Sequence, residues 1–201
     1  MIFGVSEQQV YIHTNICYSM GLPKICDSLT ITDNHRENAI ETADVSHCDE
    51  DMGRGREQHT IDSRVGFLGE IVAREMINKT DGVTYSDPDD KQHDCFLNGQ
   101  RVEIKTRKTW NYSNPDLLVR KKFDLAARYY IQLDLYTENG EEPNKDLSNV
   151  TRAEIVGFVT KDEVNKYGED FTPPGKREEN ETVLVGRNHL RPMHELQARI
   201  S

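Results

Sequence analysis

Gln92-His-Asp-Cys-Phe-Leu-Asn-Gly-Gln-Arg-Val-Glu-Ile-Lys-Thr-Arg-Lys108 is the stretch whose reading decides the fold. At its centre, Asn98-Gly99 is a two-residue hairpin signal, because a type I′ turn needs positive φ at both central positions. Counting outward, Leu97 faces Gln100, Phe96 faces Arg101, Cys95 faces Val102 and Asp94 faces Glu103. Side chains alternate faces along a strand. One face therefore carries the apolar Cys95, Leu97, Val102 and Ile104. The other carries Gln92, Asp94, Phe96, Arg101, Glu103 and Lys105.

That register sets two carboxylates across from each other. Like charges directly opposite on a sheet repel. A divalent cation between them relieves the repulsion, since hard cations such as Mg²⁺ take carboxylate oxygens. Lys105, on the same face, is placed to hold a phosphate or orient a water beside that cation. The competing reading is a solvated polar face on an edge hairpin.

The 201-residue chain suits one domain with an appended arm. It has 30% charged and 35% hydrophobic residues, enough for a modest core. No run of about 18 apolar residues exists, so no membrane span is expected. The start lacks a basic segment followed by a long apolar one, so no secretory signal is expected. Cys17, Cys26, Cys48 and Cys95 lie at irregular spacings and read as reduced thiols of a cytoplasmic protein. His47 with Cys17, Cys26 and Cys48 matches no zinc spacing.

A net charge of −10 argues against a nonspecific nucleic-acid coat. The average hides a local surplus. Between residues 101 and 128, eight basic residues stand against three acidic ones, a net +5 that leaves −15 for the rest. Arg101, Arg107, Lys108, Arg120, Lys121 and Lys122 from this stretch are candidate contacts to a phosphate backbone.

The first 58 residues show no sustained period and form an N-terminal extension or arm, acidic between Asp27 and Asp51. Gly53 to Arg56 reads as a joint. The main domain is expected at 59–201. The clearest helix runs from Ile61 to Asn78, with Ile61, Val65, Leu68, Val72 and Met76 on one stripe and Thr60 or Asp62 as cap. Gly66, Gly69 and Ala73 cost helix propensity and imply close packing. Gly66, Glu70, Ala73 and Ile77 form a second face that brings Glu70 against a sheet, with Glu75 as the rival glutamate. Downstream, Leu117–Ala127 is a short helix or a basic loop, and Tyr129–Tyr136, Ala153–Thr160 and Thr182–Val185 are strands. Lys161–Tyr167 is a helical turn, and Leu190–Ile200 a terminal helix with Pro192 in its first turn. The order implies an α/β fold with a central mixed sheet flanked by helices.

Gly69-Glu70 on a helix, then Asp94, then Glu103-Ile104-Lys105 on a strand resembles the PD-(D/E)XK nuclease superfamily, the restriction-endonuclease-like fold, and its small phage and mobile-element members in particular. The likeness covers about residues 60–200. His93 stands where the family has proline, and a literal Pro88-Asp89 lies earlier, so Asp89 is the alternative to Asp94. The resemblance implies Mg²⁺-dependent hydrolysis of DNA phosphodiester bonds, with Mn²⁺ as a substitute and no organic cofactor. Asp94, Glu103 and the Ile104 carbonyl would hold the metal, with Glu70 as an added ligand directly or through water. Lys105 would stabilise developing charge or position the attacking water. An endonuclease is the leading expectation. The alternatives are an exonuclease, a nuclease for RNA or branched DNA, and a non-catalytic protein of the same fold, such as a DNA-mimicking inhibitor using the acidic arm. A homodimer is compatible, since one such site cuts one strand.

Overall fold

The computed structural model describes residues 28–45, 56–79, 83–86, 94–110, 115–120, 127–172 and 182–200. Asp89, His93, Lys121, Lys122, His47 and the first three cysteines lie outside them.

The hairpin forms in the expected register. Strand β3 (Cys95–Leu97) pairs antiparallel with β4 (Gln100–Lys108), with Cys95 opposite Val102, Phe96 opposite Arg101 and Leu97 opposite Gln100. Asn98 and Gly99 take φ of 47° and 76°, the double positive φ that the turn demands. The ladder ends at Cys95: Asp94 donates its backbone N–H to Val102 O at 3.2 Å, so the expected Asp94–Glu103 pair is replaced by an irregularity at the strand entrance. The apolar face is fully committed to the interior, since Cys95, Leu97, Val102 and Ile104 are all buried.

This hairpin is not at an edge. It lies inside a six-stranded sheet ordered β1-β7-β6-β4-β3-β2. The remaining strands are β1 (Ser28–Thr30), β2 (Tyr85–Ser86), β6 (Tyr129–Thr137) and β7 (Val150–Thr160). Strand β4 runs parallel to β6, while the other pairs are antiparallel, so the sheet is mixed. A second sheet of order β5-β9-β8 contains β5 (Leu117–Arg120), β8 (Glu169–Phe171) and β9 (Thr182–Val185).

Four helices complete the described fold: α1 (Asp33–Val45), α2 (Arg56–Asn78), α3 (Lys161–Tyr167) and α4 (Met193–Ile200). The long helix α2 covers one face of the large sheet. Its stripe of Val65, Leu68, Val72 and Met76 is buried together with Val102, Ile104, Ile131 and Leu133. Each such side chain contributes about 1.5–3 kcal/mol by leaving water. The opposite face carries a second core, in which Tyr130 and Val159 of the large sheet meet Leu117, Val119, Val183 and Val185 of the small one, with Val164 of α3.

Several local expectations change. Helix α2 begins at Arg56, so neither Thr60 nor Asp62 caps it, and part of the expected joint is helical. Asp62 instead forms an ion pair with Lys108. Leu117–Arg120 is a strand rather than a helix, because its alternating apolar residues Leu117 and Val119 find the second core. Helix α4 starts at Met193, leaving Pro192 just before it, and Leu190 packs against the second core instead of joining the helical stripe. Close packing falls on Gly69 rather than Gly66. A Cβ at Gly69 would collide with the Thr106 side chain of β4, whereas one at Gly66 would meet nothing within 4 Å.

Residues 28–45 of the N-terminal stretch pack into the same body. Strand β1 pairs with β7, and Ile31 and Ala39 enter the main core. Helix α1 lies along α2, where buried His35 meets Glu75 at 2.6 Å. Arg64 of α2 binds the Asp44 carboxylate at 2.8 Å.

Candidate functional site

Asp94, Glu103, Ile104 and Lys105 come from one hairpin, and Glu70 from the helix packed against it. Within β4, alternation sends Arg101, Glu103, Lys105 and Arg107 to one face and Val102, Ile104, Thr106 and Lys108 to the other. Glu103 is only 6% exposed, which excludes a solvated polar face. An ionised carboxylate that deep needs a partner. Lys105 supplies it, with Nζ donating to Glu103 Oε1.

Asp94 is held differently. Its Oδ2 accepts the backbone N–H of Ile104 at 2.6 Å. Ile104 is the residue between Glu103 and Lys105, so this bond ties the Asp94 carboxylate to the centre of the Glu-Ile-Lys segment. The aspartate stands just before β3, beyond the last paired residue Cys95, and its field reaches Glu70 together with that of Glu103.

Glu70 completes the cluster. Its carboxyl is pushed up to about 8, first by burial and then by the negative fields of Asp94 and Glu103, with Lys105 opposing. Three acids and one lysine from three segments therefore share one electrostatic neighbourhood. The close approach of α2 through Gly69 and the buried Ala73 makes this possible. Glu75, the rival glutamate, is turned elsewhere: its carboxylate holds Lys79 and His35, which lower its pKa.

The donors of the cluster are hard oxygens, the type that Mg²⁺ takes. Burial among like charges makes ionisation of Glu70 unfavourable, a situation that a cation would reverse. Among the described residues, no group of three or more His, Cys, Asp or Glu side chains stands gathered as a metal cluster. Lys105 occupies the Glu103 oxygen in this conformation.

The expected basic patch divides. Arg101 is exposed and Arg107 half-buried on the Glu103 face. Lys108 falls on the α2 face, paired with Asp62 and 5.8 Å from the centre of the Trp110 ring. Arg120 is half-buried on β5. The alternation that separated the hairpin faces also separates Lys108 from Arg107.

One polar cluster was missed. Gln132 and Asp134 of β6 are register partners of Lys105 and Arg107, and both are fully buried. Gln132 donates from Nε2 to Pro115 O and to Asp134 Oδ1, both at 2.8 Å. Arg187 pairs with Asp134 Oδ2, and its backbone N–H donates to Asp116 Oδ1 at 2.8 Å. The signal was the pair of polar residues inside the apolar strand Tyr129–Tyr136, at the two-residue spacing that puts them on one face.

Compared with protein-family models, curated proteins and solved structures, the chain matches none. Among the described residues, no helix is long and apolar enough to cross a membrane.

Proposed function

We propose that the chain is a metal-dependent nuclease that hydrolyses internal DNA phosphodiester bonds on a restriction-endonuclease-like core. The observation that carries this reading is the Asp94 carboxylate bonded to the Ile104 N–H, between the buried Glu103 and Lys105. A purely structural polar face has no reason to bury Glu103 beside a second, tethered carboxylate. The helix bearing Glu70, whose carboxyl feels Asp94 and Glu103, supports the same reading.

In this reading Asp94, Glu103 and the Ile104 carbonyl would hold Mg²⁺ or Mn²⁺, with Glu70 contributing directly or through water. The ion supplies Lewis acidity toward the phosphoryl oxygen and a more acidic bound water. The protein's own groups do the rest. The Ile104 N–H fixes the orientation of Asp94. Lys105 neutralises Glu103, and with a cation held beside that carboxylate its ammonium would be placed to stabilise charge developing on the phosphate. Arg101 and Arg107 share the Glu103 face and lie where the strand's backbone would pass.

Cleavage of circular and linear DNA with and without Mg²⁺ tests this function. Metal-dependent nicking of circles that disappears in Lys105→Ala is expected. Activity on linear DNA alone would redirect the reading to an exonuclease, and tight DNA or protein binding without cleavage under any divalent metal would redirect it to a binding protein.

A further inference from the structure

A cavity of about 430 Å³ opens at the end of the large sheet where β6 begins and β7 ends. Ala127, Arg128, Tyr129, Thr160, Lys161, Asp162 and Arg199 line it. The volume lies within the range of small-ligand sites, about 300–1,000 Å³. Three of the lining side chains are cationic and one is acidic. The next acid along the chain, Glu163, is engaged by other groups. Glu163 accepts from Arg191 at 2.6 Å and from the Thr160 hydroxyl at 3.0 Å. Arg128 has neutral company, donating to Gln100 Oε1 at 2.9 Å and standing 5.6 Å from the Tyr129 ring centre.

The position of the cavity relates it to the carboxylates. Arg128 donates its backbone N–H to Arg101 O at 2.9 Å. Tyr129 is the register partner of Val102, the residue before Glu103. By alternation Arg128 falls on the same sheet face as Arg101 and Glu103. Arg101 and Glu103 are two residues apart, roughly 7 Å along the strand. A nucleic-acid strand advances by about 3.4 Å of axis per residue, so this offset spans only a few nucleotides.

We propose that this cavity is a phosphate-binding subsite, in which Arg128, Lys161 and Arg199 hold a backbone phosphate of the strand whose neighbouring phosphodiester lies at Asp94 and Glu103. The inference rests on the nucleic-acid reading of the site but not on its catalysis. Arg128 enters from the sheet, Lys161 from the start of α3 and Arg199 from the end of α4, so the subsite requires the folded sheet and both helices. It is one that the basic run of residues 101–128 anticipates only through Arg128, since Lys161 and Arg199 lie in later, mixed-charge sequence. An internal phosphodiester and a terminal phosphate monoester present the same oxygens to these cations.

The test is DNA binding by fluorescence anisotropy in EDTA, over a range of salt, with the full chain. The probes are a labelled single strand with a 5′-phosphate, the same strand with a 5′-hydroxyl, and a circular single strand as competitor. The variants are Lys161→Glu with Arg199→Glu, both at exposed positions, and Lys145→Glu as a control for charge reversal in a remote exposed loop. Thermal melting verifies that each is folded. The double variant is expected to lose at least tenfold in affinity and to flatten the log affinity against log salt slope by more than one, while Lys145→Glu stays within twofold. Loss on all strands supports a diester subsite, and loss confined to the 5′-phosphorylated strand supports a terminal one. A double variant that binds like Lys145→Glu overturns the proposal. Binding that depends on the cavity, in a protein that never cleaves, would sink the catalytic reading alone.

Discussion

Asp94 Oδ2 accepts the Ile104 N–H at 2.6 Å. A side chain from the strand entrance is thereby fixed against the backbone between Glu103 and Lys105. Asn can accept the same bond, so Asp94→Asn removes charge and keeps the tether. It is expected to leave thermal stability nearly unchanged while lowering cleavage by roughly 10²–10³-fold, the scale for one lost electrostatic contact to a reacting centre. Steady-state cleavage rates beside a melting curve check this. An active Asp94→Asn would move the metal aspartate elsewhere, with Asp89 the first candidate.

Gly69 and Gly66 make opposite predictions from the same helix. Gly69→Ala drives a methyl into Thr106 and is expected to destabilise by about 1–3 kcal/mol. Gly66→Ala meets open space and gains helix propensity, so it is expected to be neutral or stabilising by up to about 1 kcal/mol. Urea unfolding of both variants checks the difference, and Thr106→Ser should relieve part of the Gly69→Ala cost.

The Glu70 carboxyl, raised to about 8 from the model-peptide value of 4.5, gives the metal-free protein a signed pH dependence. Between those two values the folded chain keeps a proton that the unfolded chain has released. Stability therefore falls as pH rises through this window, by at most about 1.4 kcal/mol per pH unit, and levels off above it. Glu70→Gln is expected to remove this slope. Chemical unfolding in EDTA at several pH values measures it, and an identical profile in both proteins would contradict the burial of Glu70 among like charges.

Asp134 is fully buried and depends on Arg187. Arg187→Leu strands that charge and is expected to cost about 3 kcal/mol. The double change Asp134→Leu with Arg187→Leu should recover much of it, since two apolar side chains replace a desolvated pair. Denaturant midpoints of the wild type and the two variants check the recovery.

Much of this arrangement is legible in the sequence because it is local. Asn98-Gly99 sets the register from Cys95 to Val102, which brings Asp94 to the Glu103–Lys105 segment, and a three-and-four-residue stripe orients α2 toward the apolar hairpin face. What was not legible depends on distant partners. Leu117 and Val119 form a strand because β9 lies beside them, and nothing within their own segment says so. Gly69 rather than Gly66 is the contact glycine because Thr106 lies opposite it, a fact of docking rather than of helical spacing. Asp134 finds Arg187 across more than fifty residues, so its charge in an apolar strand gave a signal without naming its partner.

The most direct measurement is the conversion of supercoiled plasmid to nicked and linear forms with Mg²⁺, with Mn²⁺ and with EDTA, by the wild-type chain and by Lys105→Ala. Cleavage by the wild type only when metal is present, and none by Lys105→Ala, is the expected result. Cleavage that survives Lys105→Ala, or no cleavage of circular or linear DNA with either metal, would contradict a phosphodiester-hydrolysing site at Asp94, Glu103 and Lys105.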